Sequence, residues 1–120
     1  MNENELKELE EVIKSRKEKD EDGSYTCYLF KSGIDKILKK VGEECTETVI
    51  AAKNLKANTD ESKSAELKEL LAGEVADLLY HVQVMLIDAD MSIDDVLGEL
   101  ERRSHKTGNK KVMKNVDKNT

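Results

Sequence analysis

The chain has no proline and no tryptophan, and its aromatic side chains amount to one phenylalanine and three tyrosines. Without proline, long helices can run unbroken between turns set by glycine and short polar residues. Aromatic residues, which favour strands, are too few to argue for a sheet. The two cysteines, Cys27 and Cys45, match no metal-ligand or redox spacing, and the opening MNENELKELEEV has neither a basic start nor an apolar secretion segment. A reducing cytoplasm is the expected location. No stretch approaches the roughly 18 consecutive apolar residues that cross a bilayer, so no membrane is expected as a partner. Positive charge is also short: 20 Lys and Arg face 26 Asp and Glu, for a net charge of -6. That balance disfavours a general nucleic-acid binder, so a polyanionic partner must be met locally.

What is abundant is Lys, Glu, Leu and Ala, with 38% of residues charged. These are helix formers, and the expected fold is all-α, with four to five helices in an antiparallel bundle. At 120 residues the chain is one small domain. A first helix is expected over about 3–19, with Leu6, Leu9, Val12, Ile13 and Arg16 at helical spacing. The run DEDGSYT, Asp20 to Thr26, reads as a turn, Gly23 supplying a positive φ. A second helix is expected from Ser32 or Gly33 to Leu55, a polar link over 58–62, and a third helix over about 64–89. Ser92 with Asp95 resembles a capping box and opens a fourth helix ending near Arg103. The domain is thus expected over 1–103, followed by a polar basic tail over 104–120.

Within the two longest helices the carboxylates have a pattern. Glu44 with Glu47, and Glu74 with Asp77, are each three residues apart, and Glu43 thickens the first pair. Such neighbours share a helix face. Glu74 also falls within about 40° of the centre of an apolar stripe formed by Leu71, Val75, Leu78 and Val82, so a carboxylate occupies an expected core position. Asp77 and His81 flank it, and Lys40, Glu44 and Glu47 form a similar seam on the partner helix. Packed antiparallel, the two seams face each other. An unpaired ion in that position costs several kcal/mol, roughly, so something positive is needed. A hard divalent cation satisfies the need; lysines in a structural network, or a partner helix on the apolar faces, are the competing readings. The position for the histidine of a di-iron bundle holds Leu78, and zinc thiolate or imidazole spacing is missing. Oxygen donors alone select Mg²⁺ or Mn²⁺. His81 reads as a hydrogen-bonded edge residue.

The runs KKVGEECTE (Lys39 to Glu47) and EVADLLYH (Glu74 to His81) resemble the paired EExxE and ExxD motifs of the all-α, MazG-like nucleoside triphosphate pyrophosphohydrolases. Together with SYTCYLFKSGIDKILKKVGEECTETVIAAKN, LLAGEVADLLYHVQVML and the LERR at Leu100 to Arg103, the chain is similar to the phosphoribosyl-ATP pyrophosphohydrolase family from about Leu6 to Arg103. The resemblance implies hydrolysis of the α–β phosphoanhydride of phosphoribosyl-ATP to phosphoribosyl-AMP and pyrophosphate, the second step of histidine biosynthesis. It implies Mg²⁺ dependence, a nucleotide substrate and a homodimer. It places Glu44, Glu47, Glu74 and Asp77, with Glu43 beside them, on metal-binding positions. Lys40 would touch phosphate, Ser24, Tyr25 and Thr26 fall on a loop near substrate, and Arg16 lies on a first helix approaching the same cleft. Cys45 stands where the family commonly has alanine, and the tail after Ser104 departs from the family's acidic and arginine pattern.

The chemistry agrees with the residues: a triphosphate repels carboxylates and hydroxide alike unless a cation cancels its charge. Glu44 or Glu47 is the expected base, with direct attack by water and no covalent intermediate. Two helices of about 24 residues with wide apolar faces also cannot cover each other in one short chain, so a dimer or larger is expected. Gly42 and Gly73, inside helices, would fit a close helix approach. The rivals are a house-cleaning pyrophosphohydrolase of nucleoside triphosphates and a non-catalytic helical partner. The cyclohydrolase that follows in the pathway is expected on a separate protein.

Overall fold

The structure, a computed structural model, describes residues 5–107. They form five α-helices and one 3-10 turn, and no strand occurs among them. Helix α1 spans Glu5–Glu18 and α2 Tyr25–Ser32; α3 spans Ile34–Ala57, α4 Ser64–Asp88 and α5 Ile93–Thr107. The all-α expectation holds, and the three long helices begin and end close to where their periodicity places them. The exception is α2: eight residues are too short to show a clear period, and the turn signal of DEDGSYT masked its start. The end of α5 also lies beyond the expected Arg103, at Thr107. The remainder of the basic tail lies outside the described residues.

Local chemistry fixes the joints. Gly23 adopts φ 79°, and Ser24 then caps α2 by accepting from the Cys27 amide at 3.1 Å. Gly33, at φ 92°, ends α2 and starts α3 in a single residue. Between α3 and α4, Asp60 accepts from the Ser62 amide at 3.0 Å and sets the 3-10 turn Glu61–Lys63. Helix α4 closes with Asp90 at φ 59°, the Asp90 amide donating to Ile87 O and the Met91 amide to Leu86 O, a Schellman end. The expected capping box is present: the Ser92 amide donates to Asp95 Oδ2 at 3.0 Å.

Helices α3 and α4 pack antiparallel. The short link between Ala57 and Ser64 turns the chain back, and Thr48 then meets Glu74 O, with Glu47, Ile50, Ala51 and Asn54 of α3 and Leu67, Leu70 and Glu74 of α4 lining one shared groove. The chain's own core sits elsewhere, around the C-terminal half of α4, where Ile13, Leu29, Ile37, Val84 and Ile87 cluster with Leu9, Phe30, Tyr80 and Met85 against them. This corrects the sequence-based core. The stripe around Leu71 and Val75 is only partly covered, and Leu70, Val75 and Leu79 are exposed, as are Val49 and Ile50 on α3. Periodicity identifies an apolar face but not what covers it. Gly42 and Gly73 are also not points of close approach, because an added Cβ at either meets open space. The span Glu61–Asp88 is long and apolar enough to cross a membrane by composition, but it carries Glu74, Asp77 and His81 midway along its length.

Candidate active site

The two acidic seams meet. One carboxylate oxygen from each of Glu44 on α3 and Glu74 and Asp77 on α4 lies within 4.8 Å of the others. Beneath them the Thr48 hydroxyl lies 2.8 Å from Glu44 O and 3.3 Å from Glu74 O, tying the two helices at this level. Glu44 is only 6% exposed. Its Oε2, and Oε2 of Glu74, are buried and accept no hydrogen bond. Glu47, one turn along α3 and exposed, hydrogen-bonds to both carboxyl groups. Burial first, then the charge and hydrogen bond of Glu47 and the charge of Asp77, push the Glu44 carboxyl above its ordinary value. The hydrogen bond to Glu47, followed by desolvation, does the same to Glu74. Acids crowded in this way disfavour one another's charge, and a cation among them relieves that.

Lys40 stands at the edge, its Nζ 3.2 Å from Glu43 Oε2 and 3.9 Å from Glu44 Oε1. Glu43 is held by Lys39 and Lys40 and lies outside the Glu44, Glu74, Asp77 group. A single lysine beside one oxygen leaves the two buried Oε2 atoms without a donor. Oxygen donors of this number and kind, unserved by the protein, fit a hard divalent cation.

Above the cluster the loop and α2 close one side. His81 is buried and its Nδ1 lies 2.7 Å from the Asp77 carbonyl. A carbonyl only accepts, so Nδ1 carries the proton, and Nε2 accepts from the Tyr25 hydroxyl at 3.0 Å. The expected hydrogen-bonded edge residue is thus a buried link between α2 and α4. All three tyrosines gather here: Tyr25 stacks at 6.1 Å on Tyr28 and 6.2 Å on Tyr80, and Tyr80 meets His81 edge-on at 4.9 Å. Of the loop residues expected near substrate, Tyr25 faces the site through His81, Ser24 is the cap of α2, and Thr26 is buried in a hydrogen bond with the Tyr80 hydroxyl. Arg16 pairs with Glu21 of the loop at 3.3 Å and donates to its neighbour Ser15 on α1, instead of reaching the carboxylate cluster. Sequence reasoning missed Thr48 and Tyr80 as parts of the site; both lie within runs already singled out, one turn or less from its acids.

Fold and site together define an all-α protein with a hard, oxygen-rich centre held between two antiparallel helices. The chain belongs to the phosphoribosyl-ATP pyrophosphohydrolase family, which it matches over residues 6–104. It is 48% identical over 112 residues to the phosphoribosyl-ATP pyrophosphatase of Listeria welshimeri, covering 93% of this chain and 97% of that one. It is 46% identical over 106 residues to the phosphoribosyl-ATP pyrophosphatase of Clostridium novyi, covering 88% and 86%. It is also 48% identical over 101 residues to the histidine biosynthesis bifunctional protein HisIE of Caldanaerobacter subterraneus, covering 84% of this chain but 44% of that longer protein. The resemblance drawn from the residues holds, and with it the enzyme class, a hydrolase of phosphoanhydride bonds.

Proposed function

We propose that the chain hydrolyses phosphoribosyl-ATP to phosphoribosyl-AMP and pyrophosphate in the second step of histidine biosynthesis, with Mg²⁺, or Mn²⁺ in its place, as cofactor. The observation that carries the metal is the pair of buried, unpartnered Oε2 atoms on Glu44 and Glu74. Glu44, Glu74 and Asp77 would hold the ion, with Glu47 able to join them. Bound there, it would cancel charge on the triphosphate and steady the pyrophosphate leaving group. Lys40 would meet a phosphate oxygen. Glu47, exposed at the rim, is the better placed of the two candidate bases, since Glu44 is committed to the buried cluster. Water forms the new P–O bond, the α–β bridge breaks, and the water proton passes to Glu47. The substrate-side roles of Tyr25 and Lys40 rest on their position at the cluster. Ser24, Thr26 and Arg16 would act at one remove, by shaping the loop.

The pathway intermediate is a phosphorylated metabolite, which argues for a cytoplasmic enzyme without nucleic acid or membrane as partner. A homodimer would cover Val49, Ile50, Leu70, Val75 and Leu79, exposed beside the site. Light scattering should give twice the chain mass or more, and a clean monomer at micromolar concentration overturns the dimer. The activity is tested by pyrophosphate release from phosphoribosyl-ATP and from common nucleoside triphosphates, with and without Mg²⁺. Release confined to phosphoribosyl-ATP plus Mg²⁺ is expected. Preference for the common triphosphates points to house-cleaning, and silence on all substrates refutes an enzyme.

A further inference from the structure

Lys36 has a setting that no other described lysine shares. Lys7, Lys14 and Lys40 are, like it, partly buried, and each lies within 4.0 Å of a carboxylate. Lys36 is partly buried with no carboxylate partner among the described residues; it is held by Tyr28, through a hydrogen bond to the hydroxyl and with Nζ 5.8 Å from the ring centroid. The remaining lysines without ion pairs, such as Lys53, Lys56 and Lys68, are exposed. The Lys36 stem packs against the protein while the ammonium meets a neutral hydroxyl and a ring, so its charge is left free to pair with an incoming anion.

The position of Lys36 is as informative as its isolation. Lys36, Lys40 and Glu44 follow one another at four-residue steps on one face of α3, placing Lys36 about 12 Å from Glu44 along the axis. Both lysines act on the Tyr25 hydroxyl, and Lys36 draws the Tyr28 hydroxyl below its ordinary value. The face therefore runs from a cation without an acidic partner, through a cation shared with Glu43 and Glu44, to the carboxylate cluster. Phosphoribosyl-ATP has two anionic ends: the triphosphate, and the phosphate monoester on its second ribose. AMP and ATP lack the second.

Resting on the proposed function, we infer that Lys36, supported by Tyr28, receives the phosphate monoester of the phosphoribosyl group and is the residue through which this site separates phosphoribosyl-ATP from ordinary nucleotides. The contact binds the substrate end remote from the broken bond, so its loss raises KM more than it lowers kcat. The test compares Lys36→Gln with the wild type in steady-state hydrolysis of phosphoribosyl-ATP, and in competitive inhibition by phosphoribosyl-AMP and by AMP. A rise of about ten-fold in KM and an equal loss of affinity for phosphoribosyl-AMP, with AMP inhibition unchanged, are expected; ten-fold corresponds to about 1.4 kcal/mol. Lys36→Arg should keep most of the affinity. Equal weakening of AMP and phosphoribosyl-AMP assigns Lys36 to the phosphate they share and overturns the inference, as does no weakening of either. Lys39→Gln removes the same charge from an exposed neighbouring position, and an equal effect there reduces the result to a general field and also overturns it. Lack of wild-type turnover would instead refute the proposed function, so the two failures are distinguishable.

Discussion

Glu10 and Glu44 are both buried carboxylates on helices, 1% and 6% exposed, and the molecule treats them in opposite ways. Burial raises both. At Glu10 that is overcome: Oε1 accepts from the Ser92 hydroxyl at 2.7 Å and the Ile93 amide at 2.6 Å, and Lys7 pairs with Oε2 at 3.0 Å, bringing the carboxyl down to about 2. It thereby caps α5 from α1, fixing the charge at a helix N-terminus. At Glu44 the neighbours are acids, Oε2 has no donor, and the carboxyl is held above its ordinary range. One region is complete as it stands, and the other asks for a cation. Burial of a charge alone therefore does not mark a functional site; burial without partners does.

The largest effect that should separate the regions is on turnover. Glu74→Gln keeps the shape and removes a charged donor from the cluster, so Mg²⁺-dependent pyrophosphate release should fall by roughly two to three orders of magnitude. Circular dichroism should show the same helix content. Mg²⁺ should also raise the melting temperature of the wild type and not of the variant, because only a competent site gains stability from the ion. Turnover within a few-fold of wild type would place the metal elsewhere.

Glu10→Gln should reverse that pattern. It removes a charge-assisted contact set from a fully packed corner, and a loss of about 2–3 kcal/mol in folding free energy is expected, with kcat of the folded enzyme and its Mg²⁺-dependent melting shift retained. The same residue predicts an acid limb. Its folded-state carboxyl, at about 2 against an ordinary 4.5, stabilises the fold above pH 4.5. That contribution, about 3 kcal/mol, drains away as pH falls from 4.5 towards 2. Urea titrations across this window should show wild-type stability falling faster than that of Glu10→Gln, and parallel curves would remove Glu10 from the account.

How far each region was legible in the sequence follows from the same contrast. The carboxylate site could be read because its phase on two long helices is a local property: Glu44, Glu47, Glu74 and Asp77 keep their spacing whatever else packs around them. The Glu10 cap could not, since it joins residues 82 and 83 positions apart, and nothing in ELEEV separates Glu10 from the exposed Glu8 and Glu11. The core was misplaced for a related reason. Leu71 and Val75 belong to an apolar face of α4 as surely as Val84 and Ile87 do, and only the tertiary structure shows which half α1 and α2 cover. Ser24 and Thr26 were found as loop residues, but their work as a helix cap and a tyrosine partner depends on α2, whose eight residues carried no periodic signal.

The finest test lies between adjacent residues. Glu43 and Glu44 share a motif and a helix turn, yet Glu43 is held by Lys39 at 3.9 Å and Lys40 at 3.2 Å, whereas Glu44 points into the cluster with one oxygen unserved. If partnering decides role, Glu43→Gln should change kcat/KM by no more than about three-fold, roughly what a screened, partly exposed ion pair contributes. Freed from Glu43, Lys40 would remain 3.9 Å from Glu44, so the small change should appear in KM, through the phosphate contact proposed for Lys40, and fade with added salt. A loss matching that of Glu74→Gln, accompanied by a lost Mg²⁺-dependent melting shift, would instead make Glu43 a metal ligand. Its present ion pairs would then be a resting arrangement that opens when the cation binds.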